Sequence, residues 1–122
     1  MKPSPLVLVV DDMSDMRDLY SFYLRYVGLR AETAADGLEA IVKARALKPD
    51  LIVMDLMMPG ITGIEAIRRL KEEGLTQGIV IIALTASHDP EMKRAAVEAR
   101  CDSFLTKPCP PEALMAEIRR LL

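Results

Sequence analysis

The chain has 122 residues, 51% of them hydrophobic and 28% charged, which favours one domain, residues 1–122, with an apolar core. Its net charge of −2 offers no basic surface for nucleic acid. It shows neither an apolar stretch long enough for a membrane helix nor a secretory signal, so we expect a cytoplasmic protein. Cys101 and Cys109 lack paired metal-ligand spacing and are expected to be reduced thiols.

Strand and helix patterns alternate along the chain. Continuous apolar runs bounded by polar residues predict buried strands at 6–10, 30–34, 51–54, 79–84 and 103–106. Apolar residues at helical spacing predict helices at about 14–27, 37–47, 63–73, 89–99 and 111–122. This alternation, without repeats or a linker, predicts an α/β fold, a doubly wound five-stranded parallel sheet with helices on both sides. The strand order does not follow from the pattern alone.

Local signals predict helix ends and buried helix faces. Ser14 is the expected N-cap of the first helix, and Gly28 and Gly74 are expected to end the first and third helices. The residues expected to face the core share helical spacing. They are Met16, Leu19, Tyr20, Tyr23, Leu24, Val27, Leu38, Ile41, Val42, Ile64, Ile67, Leu70, Met92, Ala95, Ala96, Ala99, Leu114, Ile118 and Leu121.

Three carboxylates stand at the ends of predicted strands. Asp11 and Asp12 follow the first apolar run directly, and Asp55 follows the third. Ligands of open α/β sheets bind outside the carboxyl ends of the strands, so these side chains can meet there. Clustered carboxylates repel one another unless a cation joins them, and oxygen ligands favour Mg²⁺. Thr85 and Lys107 add polar groups at the ends of two later runs.

Each of these residues also has an ordinary structural explanation. A strand-end Asp often caps the next helix, but such caps hardly account for all three carboxylates together with Lys107. Thr85 suits a strand as a β-branched residue, and Lys107 suits a solvated surface. Phe104, three residues before Lys107, suits a plain core position.

Four segments together resemble the receiver domain of two-component response regulators, in particular the single-domain chemotaxis regulators. They are Val9-Val10-Asp11-Asp12, Met54-Asp55-Leu56-Met57-Met58-Pro59-Gly60, Leu84-Thr85-Ala86 and Lys107-Pro108. The resemblance covers roughly residues 6–121. It implies a flavodoxin-like sheet with strand order 2-1-3-4-5, which places the first and third strands side by side.

The resemblance implies a role for each matching residue. Asp55 matches the phosphoacceptor, Asp12 the principal metal-binding carboxylate, and Asp11 a second carboxylate that acts mostly through metal-bound water. The backbone carbonyl of Met57 matches the third protein ligand of Mg²⁺. Lys107 matches the lysine that pairs with a phosphoryl oxygen.

Two further positions match the conformational switch of the family. Thr85 matches the hydroxyl that bonds another phosphoryl oxygen, and Phe104 matches the switch aromatic. A cis bond between Lys107 and Pro108 is implied as well. Met57, Ser87 and Phe104 differ from the most familiar members. Since the first two line the approach of the hydrolytic water, we expect them to affect the lifetime of the phosphate.

These expectations describe a signalling switch rather than a conventional turnover enzyme. A sensor histidine kinase or phosphotransfer protein would phosphorylate Asp55 with Mg²⁺, and the domain would also catalyse its own dephosphorylation. Phosphorylation would change the surface of the fourth helix, fifth strand and fifth helix, and so regulate an unidentified downstream protein. We expect a monomer at rest, with at most phosphorylation-enhanced dimerisation. The chain is either a stand-alone receiver or part of a longer regulator.

Three other functions remain open at this point. A flavodoxin-like electron carrier would need a Ser-, Thr- or Gly-rich phosphate loop where residues 11–15 are acidic. A metal-dependent phosphohydrolase would need further acidic ligands and a cap domain, for which 122 residues leave no space. A degenerate receiver that serves only for docking would not need the complete acidic set.

Overall fold

The computed structural model describes residues 4–122, so the first three residues of the expected domain lie outside the described part. Five strands and five helices alternate within it. They are β1 (Leu6–Val10), α1 (Ser14–Tyr26), β2 (Arg30–Ala34), α2 (Gly37–Leu47), β3 (Leu51–Asp55), α3 (Gly63–Glu72), β4 (Val80–Thr85), α4 (Pro90–Glu98), β5 (Ser103–Thr106) and α5 (Pro111–Leu121). Every predicted element is present, and its ends agree with the prediction to within one residue.

The strands form one parallel sheet in the order β2-β1-β3-β4-β5, which confirms the predicted fold class and strand order. β1 and β3 are neighbours although α1, β2 and α2 separate them in sequence. Val10 pairs with Met54, and both are followed by an aspartate. The topology therefore brings the carboxylates to the switch point of the sheet, where α/β proteins bind ligands.

Helices cover both faces of the sheet and create two apolar cores. Along β1, Val7 and Val9 face one core, whereas Leu8 and Val10 face the other. α1 and α5 pack on the first side, and α2, α3 and α4 pack on the second. This double burial explains the continuous apolar strands of the sequence. Within residues 4–122, no helix is both long and apolar enough to cross a membrane.

Several predicted core positions are wrong. The side chains of Leu19, Leu38 and Val42 are 47%, 55% and 62% exposed. In α2, the small residues Ala40 and Ala44 lie against the sheet instead, and both are fully buried. In α2, close packing of the helix on the sheet places these small side chains against it, which leaves Leu38 and Val42 at the flanks.

The predicted caps were partly wrong as well. Ser14 is the first residue of α1, and the N-cap is Met13, which makes no side-chain capping bond. Gly28 does follow the end of α1, with a positive φ of 99° that glycine adopts without strain. Gly74 likewise follows the C-cap of α3, Glu73, as predicted.

Candidate functional site

The ends of β1 and β3 bring the three predicted carboxylates together. Asp11, Asp12 and Asp55 each offer an oxygen atom within 4.8 Å of the others. Asp11 and Asp55 are buried, whereas Asp12 is exposed. The backbone N–H of Met13 donates to Asp11 Oδ1 at 3.0 Å, and that of Met57 donates to Asp55 Oδ1 at 3.1 Å. These local turns fix the orientation of the two buried carboxylates.

Lys107 reaches the same cluster from the end of β5. Its Nζ lies 3.0 Å from Asp11 Oδ2 and 3.8 Å from Asp55 Oδ2. Its backbone N–H donates to the carbonyl oxygen of Thr85 at 2.7 Å, which ties the residue to the end of β4. The Lys107–Pro108 peptide bond is cis, as the resemblance implied. One ammonium thus faces three carboxylates, which leaves the cluster with an excess of negative charge.

The environment of Asp55 raises its pKa from 3.8 to about 6. Burial is the main cause, because it disfavours the charged form. The negative charges of Asp11 and Asp12 act in the same direction. The Met57 N–H and the Lys107 ammonium oppose them. A cation beside these oxygens would relieve the repulsion among them.

The donor set of this cluster suits a hard divalent cation. All its side-chain ligands are carboxylate oxygens, and they converge from two strands. Asp12 keeps one side open to solvent, so an ion could retain several water molecules there. The site can therefore bind a metal, and its chemistry favours Mg²⁺ over softer ions. Met57, whose carbonyl the family resemblance implied as a ligand, lies in the β3–α3 loop with a 54% exposed side chain.

The two predicted switch residues lie on the neighbouring strands β4 and β5. Thr85 is fully buried at the end of β4, and its Oγ1 accepts a hydrogen bond from the Ser87 N–H at 3.1 Å. Phe104 is half-buried and packs against the core on the α4 side of the sheet. Its ring centroid lies 6.0 Å from Lys93 Nζ. Phe104 also lines a cavity of about 440 Å³ between the β4–α4 loop and β5.

Three residues that support the site were not predicted to do so. Arg17 Nη1 donates to the backbone oxygen of Asp11 at 2.8 Å, and the Tyr20 hydroxyl donates to that of Cys109 at 2.8 Å. Such bonds to backbone carbonyls leave no sequence signal. At Gly63, an added Cβ would lie 2.3 Å from the carbonyl oxygen of Asp55.

A parallel sheet of this order, with clustered carboxylates at its switch point and a lysine opposite, defines the receiver class of signalling domains. The sequence matches the family described as response regulator receiver domain over residues 7–119. The chain therefore belongs to this family and is a receiver domain of the two-component response regulators.

Similar solved structures agree with this assignment. The Vibrio cholerae chemotaxis protein CheY4 is 34% identical, with a TM-score of 0.92 over 98% of this chain and 99% of that one. The receiver domain of the Francisella response regulator 1452 is 29% identical, with a TM-score of 0.88 over 97% and 96% of the two chains.

Similar curated proteins include longer regulators. The phosphate regulon transcriptional regulatory protein PhoB of Pseudomonas aeruginosa is 37% identical over 95% of this chain and 51% of its own length. The DNA-binding response regulator MtrA of Mycobacterium tuberculosis is 34% identical over 95% of this chain and 50% of its own length. The chain spans about half the length of these curated relatives.

Proposed function

We propose that Asp55 is the phosphoacceptor of this receiver, and that it takes the phosphoryl group of a phosphohistidine on a sensor kinase or phosphotransfer protein. The observation that carries the proposal is the convergence of three carboxylate oxygens within 4.8 Å, with Lys107 Nζ at 3.0 Å from Asp11. Asp11, Asp12, Asp55 and the Met57 carbonyl would hold Mg²⁺.

In this reaction a phosphoryl group passes from a histidine side chain of the donor protein to the Asp55 side chain. A carboxylate oxygen of Asp55 attacks phosphorus, the bond to the histidine nitrogen breaks, and an acyl phosphate forms. Mg²⁺, when bound, neutralises charge on the transferring phosphoryl group. Lys107 pairs with a phosphoryl oxygen from the opposite side. Attack of water on the acyl phosphate later returns Asp55 to its free form.

The signal would pass from Asp55 to the α4–β5–α5 surface. The Thr85 hydroxyl would turn toward the phosphoryl group, and Phe104 would move inward into the space that Thr85 leaves. The differential stabilisation required is small, since coupling free energies of about 1–3 kcal/mol are typical of such switches. The changed surface would bind a downstream protein or a second copy of the chain.

We further propose that residues 1–122 act as one receiver domain in the cytoplasm and do not contact nucleic acid directly. The match along 99% of the CheY4 chain supports one possibility, that the receiver stands alone. The match to half of PhoB supports the other possibility, that the receiver controls an output region of a longer regulator. The length of the native reading frame distinguishes these two arrangements.

Labelling with acetyl phosphate and Mg²⁺ tests the acceptor. We expect the protein to gain one phosphoryl group, measured as intact mass, and Asp55→Asn to remain folded and gain none. Asp18→Asn is the matched control, because Asp18 is an exposed aspartate on α1. Undiminished labelling of Asp55→Asn would place the acceptor elsewhere. Sustained hydrolysis of phosphomonoesters would favour a phosphohydrolase, and a bound yellow flavin would favour an electron carrier.

A further inference from the structure

We propose that Tyr20 is a positioning residue for Lys107, and that it acts by holding the β5–α5 loop in place. This inference rests on the proposed function, in which Lys107 pairs with the transferring phosphoryl group. The hydroxyl of Tyr20 donates a hydrogen bond of 2.8 Å to the backbone oxygen of Cys109. Cys109 lies only two residues after Lys107, although 89 positions separate it from Tyr20.

Tyr20 is well suited to act as a fixed anchor. Its side chain is 1% exposed and belongs to the apolar core between the sheet, α1 and α5, so the ring has little freedom to reorient. Burial also raises the pKa of Tyr20 to about 12. The hydroxyl is therefore protonated, and able to donate, throughout the neutral pH range.

Lys107 needs an anchor on each side because a lysine side chain is long and flexible. On the strand side, its backbone N–H is bound to the Thr85 carbonyl at 2.7 Å. Beyond Lys107 the chain leaves the sheet, and the bond from Tyr20 to Cys109 holds it there. Between these two anchors, the ammonium is held at the carboxylates with the side chain only 18% exposed.

The same helix also holds the acidic side of the site. Arg17 Nη1 donates to the backbone oxygen of Asp11 at 2.8 Å. Arg17 and Tyr20 are three residues apart on α1, so they project from neighbouring positions on the helix surface. α1 thus links the loop after β1 to the loop after β5. Loss of the Tyr20 hydroxyl would release only the loop that carries Lys107.

Tyr20→Phe tests the inference, because it removes only the hydroxyl group. We would measure phosphorylation of Asp55 by acetyl phosphate at saturating Mg²⁺, at a temperature where circular dichroism shows every variant to be folded. We expect the rate constant to fall roughly tenfold, since small misplacements of a catalytic group have effects of this size. Mg²⁺ affinity, measured by NMR titration, should not change. Tyr26→Phe, on the same helix but with a 79% exposed side chain, should retain the wild-type rate.

A double-mutant cycle distinguishes positioning from a general structural role. If Tyr20 acts through Lys107, Tyr20→Phe should lower the rate in the wild-type background and have no further effect in Lys107→Ala. A wild-type rate in Tyr20→Phe, or an equal loss in both backgrounds, would overturn the inference and leave the proposed function intact. Full labelling of Asp55→Asn would overturn the proposed function, and this inference with it.

Discussion

At the residue scale, the environment of Asp55 disfavours the charged form that its proposed function requires. Burial and the neighbouring carboxylates raise its pKa to about 6, whereas the proposed metal binding and attack on phosphorus require the ionised form. At neutral pH the side chain is mostly ionised, so the metal-free domain carries a buried charge that its surroundings disfavour. A bound cation should stabilise the domain, because it offsets the unfavourable free energy of this buried charge.

The first prediction concerns pH. The pKa of Asp55 is higher in the folded state than in the unfolded chain. The stabilisation that this shift gives the folded state is therefore complete below about pH 4 and is lost as the pH rises through 6. Without metal at pH 7, Asp55→Asn should therefore raise the free energy of unfolding by about 1–3 kcal/mol. Urea denaturation at pH 4 and pH 7 would measure this difference, which should be much smaller at pH 4. An equal effect at both values would contradict the assigned cause.

The second prediction concerns the metal ligands. Asp12 is exposed, whereas Asp11 is buried and also bonds the Met13 N–H and the Lys107 ammonium. Asp12→Ala should weaken Mg²⁺ binding more than Asp11→Ala does, and should leave the metal-free fold as stable as the wild type or more so. Asp11→Ala should destabilise the fold, since it leaves Lys107 without its nearest partner. Equal Mg²⁺ affinity in the wild type and Asp12→Ala would refute this ligand assignment, as measured by calorimetry.

Sequence patterns predicted the residues of the site better than the residues that hold them in position. A strand-end position, apparent from the apolar run before it, predicted that Asp11 and Asp55 lie at the same edge of the sheet. The contacts of Arg17 and Tyr20 could not be predicted in the same way. Both side chains donate to backbone carbonyls, which every residue carries, so the identity of the partner residue leaves no trace.

At the element scale, the start of α3 sets the position of Asp55. Gly63, its first residue, packs directly against the backbone that follows β3. An added Cβ would lie 2.3 Å from the backbone carbonyl oxygen of Asp55 and 2.6 Å from the Cα of Leu56. Neither of these backbone atoms can move without displacing the loop. The start of α3 and the end of β3 are thus in direct contact at the site.

The third prediction follows from this contact. Gly63→Ala should lower the free energy of unfolding by about 1–3 kcal/mol, because overpacking forces a backbone shift. It should also slow phosphorylation of Asp55. Gly74→Ala is the matched control, since an added Cβ there meets nothing within 4 Å, and it should have little effect on either measurement. Wild-type stability of Gly63→Ala in urea would show that the loop relaxes freely.

The elements themselves were easier to predict than their faces. Strands buried on both sides produce uninterrupted apolar runs, so their existence and ends were clear from sequence. Helix faces were less clear, because α2 places Ala40 and Ala44 against the sheet and exposes Leu38 and Val42. Hydrophobicity ranks leucine above alanine, whereas close packing on the sheet selects the smaller residue.

At the scale of the whole molecule, the strand order was the property that was hardest to predict from the sequence. Five alternating units can wind in more than one way, and it was the resemblance to a family, not the pattern, that predicted the order of the strands. The order matters because it makes β1 and β3 neighbours and so creates the site. The proposed output surface is formed by α4, β5 and α5, and β5 is the edge strand of the sheet.

The fourth prediction concerns association through that surface. Its acidic and basic side chains pair within single helices, as Arg94 does with Glu91 and Arg120 with Glu117. Exchange of such surface pairs between two copies would contribute only about 0–1 kcal/mol each to the stability of a dimer. We therefore expect sedimentation to show a monomer at rest, with association, if any, only after phosphorylation or beryllofluoride treatment. Asp55→Asn, treated in the same way, should remain a monomer, whereas a tight dimer of the untreated protein would show that the output surface has been misplaced.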